Sequence, residues 1–236
     1  MSVLSDGEIS RRLRATDASR LVITPMLDLA KQLGAGSVDL RLGSEFLEVR
    51  RQASSAIDPF GSPPGAGSKA LPVSDRKSYV PLGDEFVLHP GQFVLGSTLE
   101  FVVLPTDLVG QVLSRSSWGR LGLLVATAVV IQPGFKGVLT LELVNAGAVP
   151  IVLRPGLRIA QLQLWASAAP AERPYSESVK YDAPIGPESN KLAWEADEWT
   201  KLRRIADTIH ARSERERNEP PSSTSGGLNP HSAMPS

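Results

Sequence analysis

The sequence predicts a mainly β protein, and three observations carry that expectation. Between residues 79 and 165, short apolar runs recur at 86–88, 93–95, 99–104, 123–131, 138–144, 151–153 and 159–164. Turn signals separate them, such as His-Pro-Gly at 89–91, Gln-Pro-Gly at 132–134 and Arg-Pro-Gly at 154–156. Helical periodicity, by contrast, is confined to the two ends of the chain. Many short strands with regular Gly/Pro punctuation indicate an all-β sandwich or barrel.

The elements follow in order. Ser5 and Glu8 have capping-box spacing ahead of Ile9 and Leu13, which predicts a short N-terminal helix. A second helical stretch is expected over residues 25–33, ended by Gly34, and then a strand over 34–43, GAGSVDLRLG. Residues 53–78 are rich in Ser, Pro, Gly and Ala and read as a long exposed loop or insertion. Beyond Trp165 the composition turns polar. Within residues 188–212, Leu192, Trp199, Leu202, Ala206 and Ile209 recur mostly at three- to four-residue steps, the pattern of an amphipathic helix. Residues 213–236 have almost nothing to bury and are expected to be disordered. The expected organisation is therefore a β domain over 1–187, an appended helix and a tail, with no internal repeat.

Composition excludes several function classes. The chain has 236 residues, with 25 Lys and Arg balanced by 25 Asp and Glu. Such a balance supplies no global basic field, so nucleic acid is not an expected partner, and any anion must be held by a local cluster. There is no cysteine, which excludes thiolate nucleophiles and Cys-based zinc sites. The three histidines, His89, His210 and His231, have no metal-ligand spacing. The N-terminal MSVLSDGEISRRL lacks the apolar core of a signal peptide, and no run approaches the roughly 18 apolar residues of a membrane span. A soluble protein of the cytoplasm, with no membrane partner, is the expectation.

Residues 115–142, RSSWGRLGLLVATAVVIQPGFKGVLTLE, concentrate the chemistry. Arg115, Ser116, Ser117 and Arg120 place two guanidinium groups and two hydroxyls at one turn, a set suited to phosphate oxygens. The same residues also fit a capped turn with solvated arginines. Glu142 stands alone between Leu141 and Leu143 in an almost uncharged strand. Alternation along a strand turns its neighbours to one face and the carboxylate to the other. It is either a proton-handling group or a surface carboxylate paired with an arginine of a neighbouring strand.

RSSWGRLGL, followed by PGFKG, TLEL, RPGLRIAQL and a later Lys-Tyr at 180–181, resembles the dCTP deaminase branch of the dUTPase-like superfamily. The likeness runs in order from the N-terminal helix through GSVDLRLG to about Tyr181, apart from 53–78. The resemblance implies a distorted β-barrel or jelly-roll fold and a homotrimer with active sites at subunit interfaces. It implies hydrolysis of dCTP to dUTP and ammonia, with Mg²⁺ carried on the triphosphate, and dTTP as a possible inhibitor. By motif position, Ser116, Arg120 and Glu142 fall on catalytic-site residues, Glu142 being the catalytic glutamate. Ala128 falls on a residue whose backbone lies against the base and water. Arg115 and Ser117 fall among phosphate-binding residues, as do Tyr175 and Lys180 from a C-terminal segment that closes over the nucleotide.

The implied chemistry is coherent with the residues. Deamination at C4 of cytosine needs a delivered water, a proton on N3 and a proton for the departing amine. One carboxyl group can shuttle these protons. Zinc deaminases instead use an H-x-E and a P-C-x-x-C motif, neither of which is present, so no zinc is expected. Two positions depart from the family pattern. Gln132 stands where many relatives carry the Asp that activates water for pyrophosphate release, and an amide is no base. Pro184 stands where bacterial enzymes often have a phosphate-contacting Gln. The loop before Gln132 is one residue shorter than usual, which shifts the Ala128 assignment by up to one position. The competing readings are a dUTP or dCTP pyrophosphatase, and a silent nucleotide-binding regulator of the same fold.

Trp118 reads as an aromatic anchor rather than a base-stacking platform, and Asp39 and Arg41 as an internal ion pair or turn-fixing contacts. Gln161 reads as a strand hydrogen-bonding residue.

Overall fold

The computed structural model describes residues 2–49, 75–125, 130–175, 183–189 and 195–218. The chain divides into two units, one up to Lys191 and one from Leu192.

The first unit is a curled sheet. Its strands are β1 (Ser2–Val3), β2 (Val22–Thr24), β3 (Leu33–Gly34), β4 (Ser37–Val49), β5 (Asp75–Tyr79), β7 (Phe93–Val103), β8 (Leu108–Ser114), β9 (Leu123–Val125), β10 (Val130–Ile131), β11 (Lys136–Asn145) and β13 (Arg158–Ala166). They pair along the path β10-β8-β13-β4-β7-β11-β9, with β1, β2, β3 and β5 paired off it. Two further strands, β6 (Phe86–Leu88) and β12 (Ile151–Leu153), form their own antiparallel pair. The mainly β expectation is met. Several strands show the two-residue alternation of a sheet with one face on the core, and β6 and β12 both read buried, exposed, buried.

The long β4 joins the two halves of the sheet. Its first part, through Arg41, pairs with β13, and its later part pairs with β7. The changeover falls at Gly43, where a side chain would meet the Ser97 hydroxyl at 2.7 Å and two backbone oxygens at 3.1 Å. Only glycine allows that close approach, and the register slips there by a bulge. Inside the curl lie Leu40, Leu42, Phe46, Val94, Val102, Leu108, Leu141, Leu143, Leu162 and Leu164, all fully buried.

The N-terminal helix α1 (Asp6–Arg14) begins where its cap predicts, with the Ser5 side chain accepting from the Glu8 N–H. The reciprocal half of the box is not made. Glu8 turns instead to Arg11 and Arg12, whose hydrogen bonds hold its carboxyl down to about 2. Arg12 also binds both oxygens of Asp107, tying α1 to the turn before β8.

Several boundaries differ from expectation, and the strand expected over 34–43 runs as β4 over Ser37–Val49. The helix expected over 25–33 is a single turn, α2 (Leu29–Gln32), because the side chain of Asp28 caps it and Leu33–Gly34 then pairs with β4. In the expected loop 53–78, residues 75–78 belong to β5, which pairs with β4 and with no other strand among the described residues. Its charged Asp-Arg-Lys start gave no apolar alternation to read; residues 53–74 lie outside the described residues. The second unit contains α4 (Ala196–Asn218), which covers much of the helix expected over 188–212 and extends into residues 213–218 of the expected tail; residues 190–194 and 219–236 lie outside the described residues. Asp197 and Glu198 in its first turn suit the positive end of the helix dipole, and the Glu/Arg-rich end is composed of good helix formers. Along α4, Trp199, Leu202, Ile205 and Ile209 are all exposed. No helix among the described residues is long and apolar enough to cross a membrane.

Candidate active site

Two structural features carry most of the expected site residues. The first is the turn after β8, where α3 (Ser116–Gly119) is a single helical turn closed by Trp118 and Gly119 N–H groups donating to the Arg115 carbonyl. Ser116, Ser117 and Arg120 are exposed on it. Among the described residues none of their side chains has a hydrogen-bond or ion-pair partner, so these groups are available to a ligand. The turn is anchored from beneath. Trp118 packs against the core and its Nε1 donates to the Arg158 carbonyl at 2.8 Å, in agreement with an anchor role.

Arg115 is placed differently from its neighbours. Its Nη1 donates to that same Arg158 carbonyl at 3.0 Å, and its Nε lies 3.2 Å from Asp39 Oδ2. The Nε contact is close enough for an ion pair but out of line for a hydrogen bond. Asp39 does not pair with Arg41, as the sequence suggested, but with Arg115 and Arg158. Arg41 donates instead to the Gly156 carbonyl and to Gln32. The part played by Arg158 was not foreseen, because nothing local distinguishes it from any other strand arginine.

The second feature is β11 with the QPGFKG turn that feeds it. Glu142 is half-buried between Leu141 and Leu143, each fully buried. The alternation therefore turns the carboxylate to the outer face of the sheet, and no arginine of a neighbouring strand pairs with it among the described residues. Opposite Val144 on the same face stand Phe93 on β7 and Leu124 on β9. Phe93 is 39% and Leu124 48% exposed, so an open apolar row borders the carboxylate.

The two features meet through β9. The hydroxyl of Ser114, one residue before Arg115, donates to the Val125 carbonyl and accepts from its N–H. Val125 is in turn the register partner of Leu143. The phosphate-type turn and the acid are thus two short steps apart in the sheet. No hydrogen bond or ion pair joins their side chains within the chain, among the described residues.

Gln132 is exposed, and its carbonyl accepts from Phe135 N–H to close the turn. Tyr175 is brought to this turn: its N–H donates to the Pro133 carbonyl, and its ring lies 5.8 Å from that of Phe135. Pro184 is buried beside the same turn and accepts from Val138 N–H. Further on, Glu188 N–H reaches the hydroxyl of Thr140, two residues from Glu142. The chain before and after the Lys180 segment is therefore pinned to one turn. Ala128 and Lys180 themselves lie outside the described residues.

A second acid was not singled out. Glu100, in Ser-Thr-Leu-Glu-Phe, has the same local pattern as Glu142 but is fully buried. Its oxygens accept from the Gln32 side chain at 2.9 Å and from Arg41 N–H at 2.8 Å. Burial raises its pKa, outweighing the hydrogen bonds that lower it.

The chain is similar to known proteins. The family model for dCTP deaminase-like proteins matches residues 3–167. A dCTP deaminase of Natronomonas pharaonis is 45% identical over 193 residues, covering 80% of this chain and 94% of that protein. A dUMP-forming dCTP deaminase of Dictyoglomus thermophilum is 42% identical over 193 residues, with the same coverage of 80% and 94%. Among solved structures, a 2'-deoxycytidine 5'-triphosphate deaminase of Agrobacterium tumefaciens aligns at 31% identity and a TM-score of 0.49, covering 70% of this chain and 47% of that one. With the matched segment spanning α1, the RSSWGR turn, the QPGFKG turn and Glu142, this chain belongs to the dCTP deaminase-like family.

Proposed function

We propose that the protein hydrolyses dCTP, taken as its Mg²⁺ complex, to dUTP and ammonia in the cytoplasm. The observation that carries this reading is Glu142: a half-buried carboxylate between two buried leucines, unpaired among the described residues, within the family match. In the proposed reaction, Glu142 takes a proton from the attacking water as the oxygen bonds to C4, and passes one to N3. It then transfers the second water proton to the exocyclic amine, the C4–N bond breaks, and C4 is left as a carbonyl. Ser116 and Arg120 complete the catalytic surface, with the Ala128 backbone against base and water. Arg115, Ser117, Tyr175 and Lys180 hold the phosphates, which suits two cations and two hydroxyl-bearing side chains. Mg²⁺ belongs to the substrate in this reading, held through the phosphates.

The working form is a homotrimer in this reading. The support is the open apolar row of Phe93 and Leu124 beside Glu142, with no hydrogen bond or ion pair between the side chains of Glu142 and α3 among the described residues. A second copy covering that row would also seal the site from water. dTTP is proposed as an inhibitor of the same site.

A second reading is favoured by one observation: some relatives of similar identity are dUMP-forming. Against it stands Gln132, whose amide cannot deprotonate a water for attack on phosphorus. Incubation with Mg²⁺ and dCTP, followed by ammonia determination and ion-exchange separation of nucleotides, decides the matter. Ammonia with dUTP is expected. Ammonia with dUMP and pyrophosphate would establish the second reading, and tight dCTP binding without product would make the protein a regulator. Glu142→Gln is expected to lower kcat by roughly 10²–10⁴-fold while dCTP still binds. Retention of full turnover would remove Glu142 from the mechanism.

A further inference from the structure

The RSSW turn is fastened to the sheet through one acidic side chain and one carbonyl. Asp39, on β4, is only 8% exposed. Its Oδ2 accepts from Arg158 Nη1 at 3.0 Å and stands 3.2 Å from Arg115 Nε. The Arg158 carbonyl, on β13, receives both Arg115 Nη1 at 3.0 Å and Trp118 Nε1 at 2.8 Å. Register explains how these groups meet. On β13, Gln161 faces Asp39 of β4, and the preceding Ala160 faces Ser114 of β8, the residue before Arg115.

The frame around Asp39 is itself fixed. Its backbone carbonyl accepts from the side chain of the fully buried Gln32, which also holds buried Glu100. Arg158 Nη1 additionally donates to the Lys31 carbonyl. The Arg115 guanidinium is thus located through Nη1 and Nε, while Nη2 has no hydrogen-bond partner among the described residues. One carboxylate shared by two guanidiniums leaves the three groups with a net positive charge, so attraction for an anion survives. An arginine held in place before binding loses less rotamer freedom when an anion arrives.

We propose that Asp39, with Arg158, is a positioning residue that presents the unengaged Nη2 of Arg115 to a phosphate group of the substrate. This rests on the reading of Arg115 as a phosphate-binding residue. Asp39 touches no reacting atom in this scheme and acts only through Arg115.

The test is a double-mutant cycle read by binding and by kinetics. Asp39→Asn, Arg115→Gln and the double variant are compared for calorimetric affinity toward inorganic tripolyphosphate and for KM and kcat with dCTP. Asp39→Asn is expected to weaken tripolyphosphate binding and raise KM by about tenfold, with a smaller change in kcat, and to have little further effect once Arg115 is Gln. Arg158→Gln, which leaves the backbone carbonyl in place, should act in the same direction and serves if Asp39→Asn does not fold. If Arg115→Gln weakens binding while Asp39→Asn and Arg158→Gln do not, the positioning role is overturned and the phosphate reading stands. Equal losses in the presence and absence of Arg115 would overturn it too, marking Asp39 as a general fold contact. No effect of Arg115→Gln on tripolyphosphate would overturn the phosphate reading and the inference with it.

Discussion

The carboxylate of Glu100 accepts two hydrogen bonds in the core, whereas that of Glu142 faces outward with none among the described residues. Their substitutions should therefore behave oppositely. Glu142→Gln removes a charge from an unpaired position, so the melting temperature should hold as turnover is lost. Glu100→Gln turns an amide NH₂ toward either Arg41 N–H or the Gln32 amide, and that donor is left buried and unsatisfied. At acidic pH the variant should be less stable by about 1–3 kcal/mol. Burial raises the folded-state pKa of Glu100 above its ordinary value, so the folded state binds the extra proton. The associated stability is complete below the ordinary carboxylate range and is lost as pH rises through the raised value. Urea unfolding at pH 5 and pH 8 should consequently show the gap between wild type and Glu100→Gln narrowing at the higher pH; a widening gap would contradict the assignment. At this scale the sequence was ambiguous for a physical reason. Thr-Leu-Glu-Phe and Thr-Leu-Glu-Leu differ little locally, and only the distant Gln32 and Arg41 decide which acid is a core group. Asp39 was legible as structural, but its true partners lie on strands remote in sequence, where spacing carries no information.

At the level of elements, the strands β6 and β12 fall where alternation and Gly/Pro turns placed them, and so does the Ser5-capped start of α1. β8 was not foreseen. Its Leu-Val-Gly-Gln-Val-Leu-Ser mixes polar and small residues, because Gly110 must admit Ile131 and Leu162 in close contact. The apolar runs at 93–95 and 99–104 are one strand, since the Gly-Ser-Thr between them is extended backbone packed against Gly43 rather than a turn. The QPGFKG turn is the element that orders the surroundings of Glu142, and its glycines are legible as turn residues without revealing what they admit. Gly137 has φ +147°, and a side chain there would meet the Pro184 ring at 2.5 Å. Gly137→Ala should therefore displace the chain around Pro184 and cost roughly 1–3 kcal/mol. Differential scanning calorimetry should register a fall of several degrees, together with a raised KM for dCTP. An unchanged melting temperature would show that the Pro184 contact yields freely.

For the molecule as a whole, the curl of the sheet separates a closed apolar interior from an outer face that carries the acid. The inner residues alternate with Glu142, Val144 and their register partners, so the outer face follows from register and not from any local motif. That is why the sequence could name Glu142 yet not show the apolar row beside it: Phe93, Val144 and Leu124 are brought level only by pairing of β7, β11 and β9. If this row is the seat of a second copy in a trimer, a charge placed in it should break the assembly without disturbing the fold, because Leu124 is already 48% exposed in the single chain. Leu124→Lys is such a change. An unpaired ammonium buried at an interface costs several kcal/mol, so the subunit dissociation constant should rise by roughly a hundredfold or more. Light scattering coupled to size exclusion should then find single chains at concentrations where the wild type is a trimer, with far-ultraviolet circular dichroism unchanged. dCTP turnover should fall with the trimer population and recover in part as protein concentration is raised. Monomers that retain full activity per chain would show that the site is complete within one subunit, and a persistent trimer would move the interface to another face.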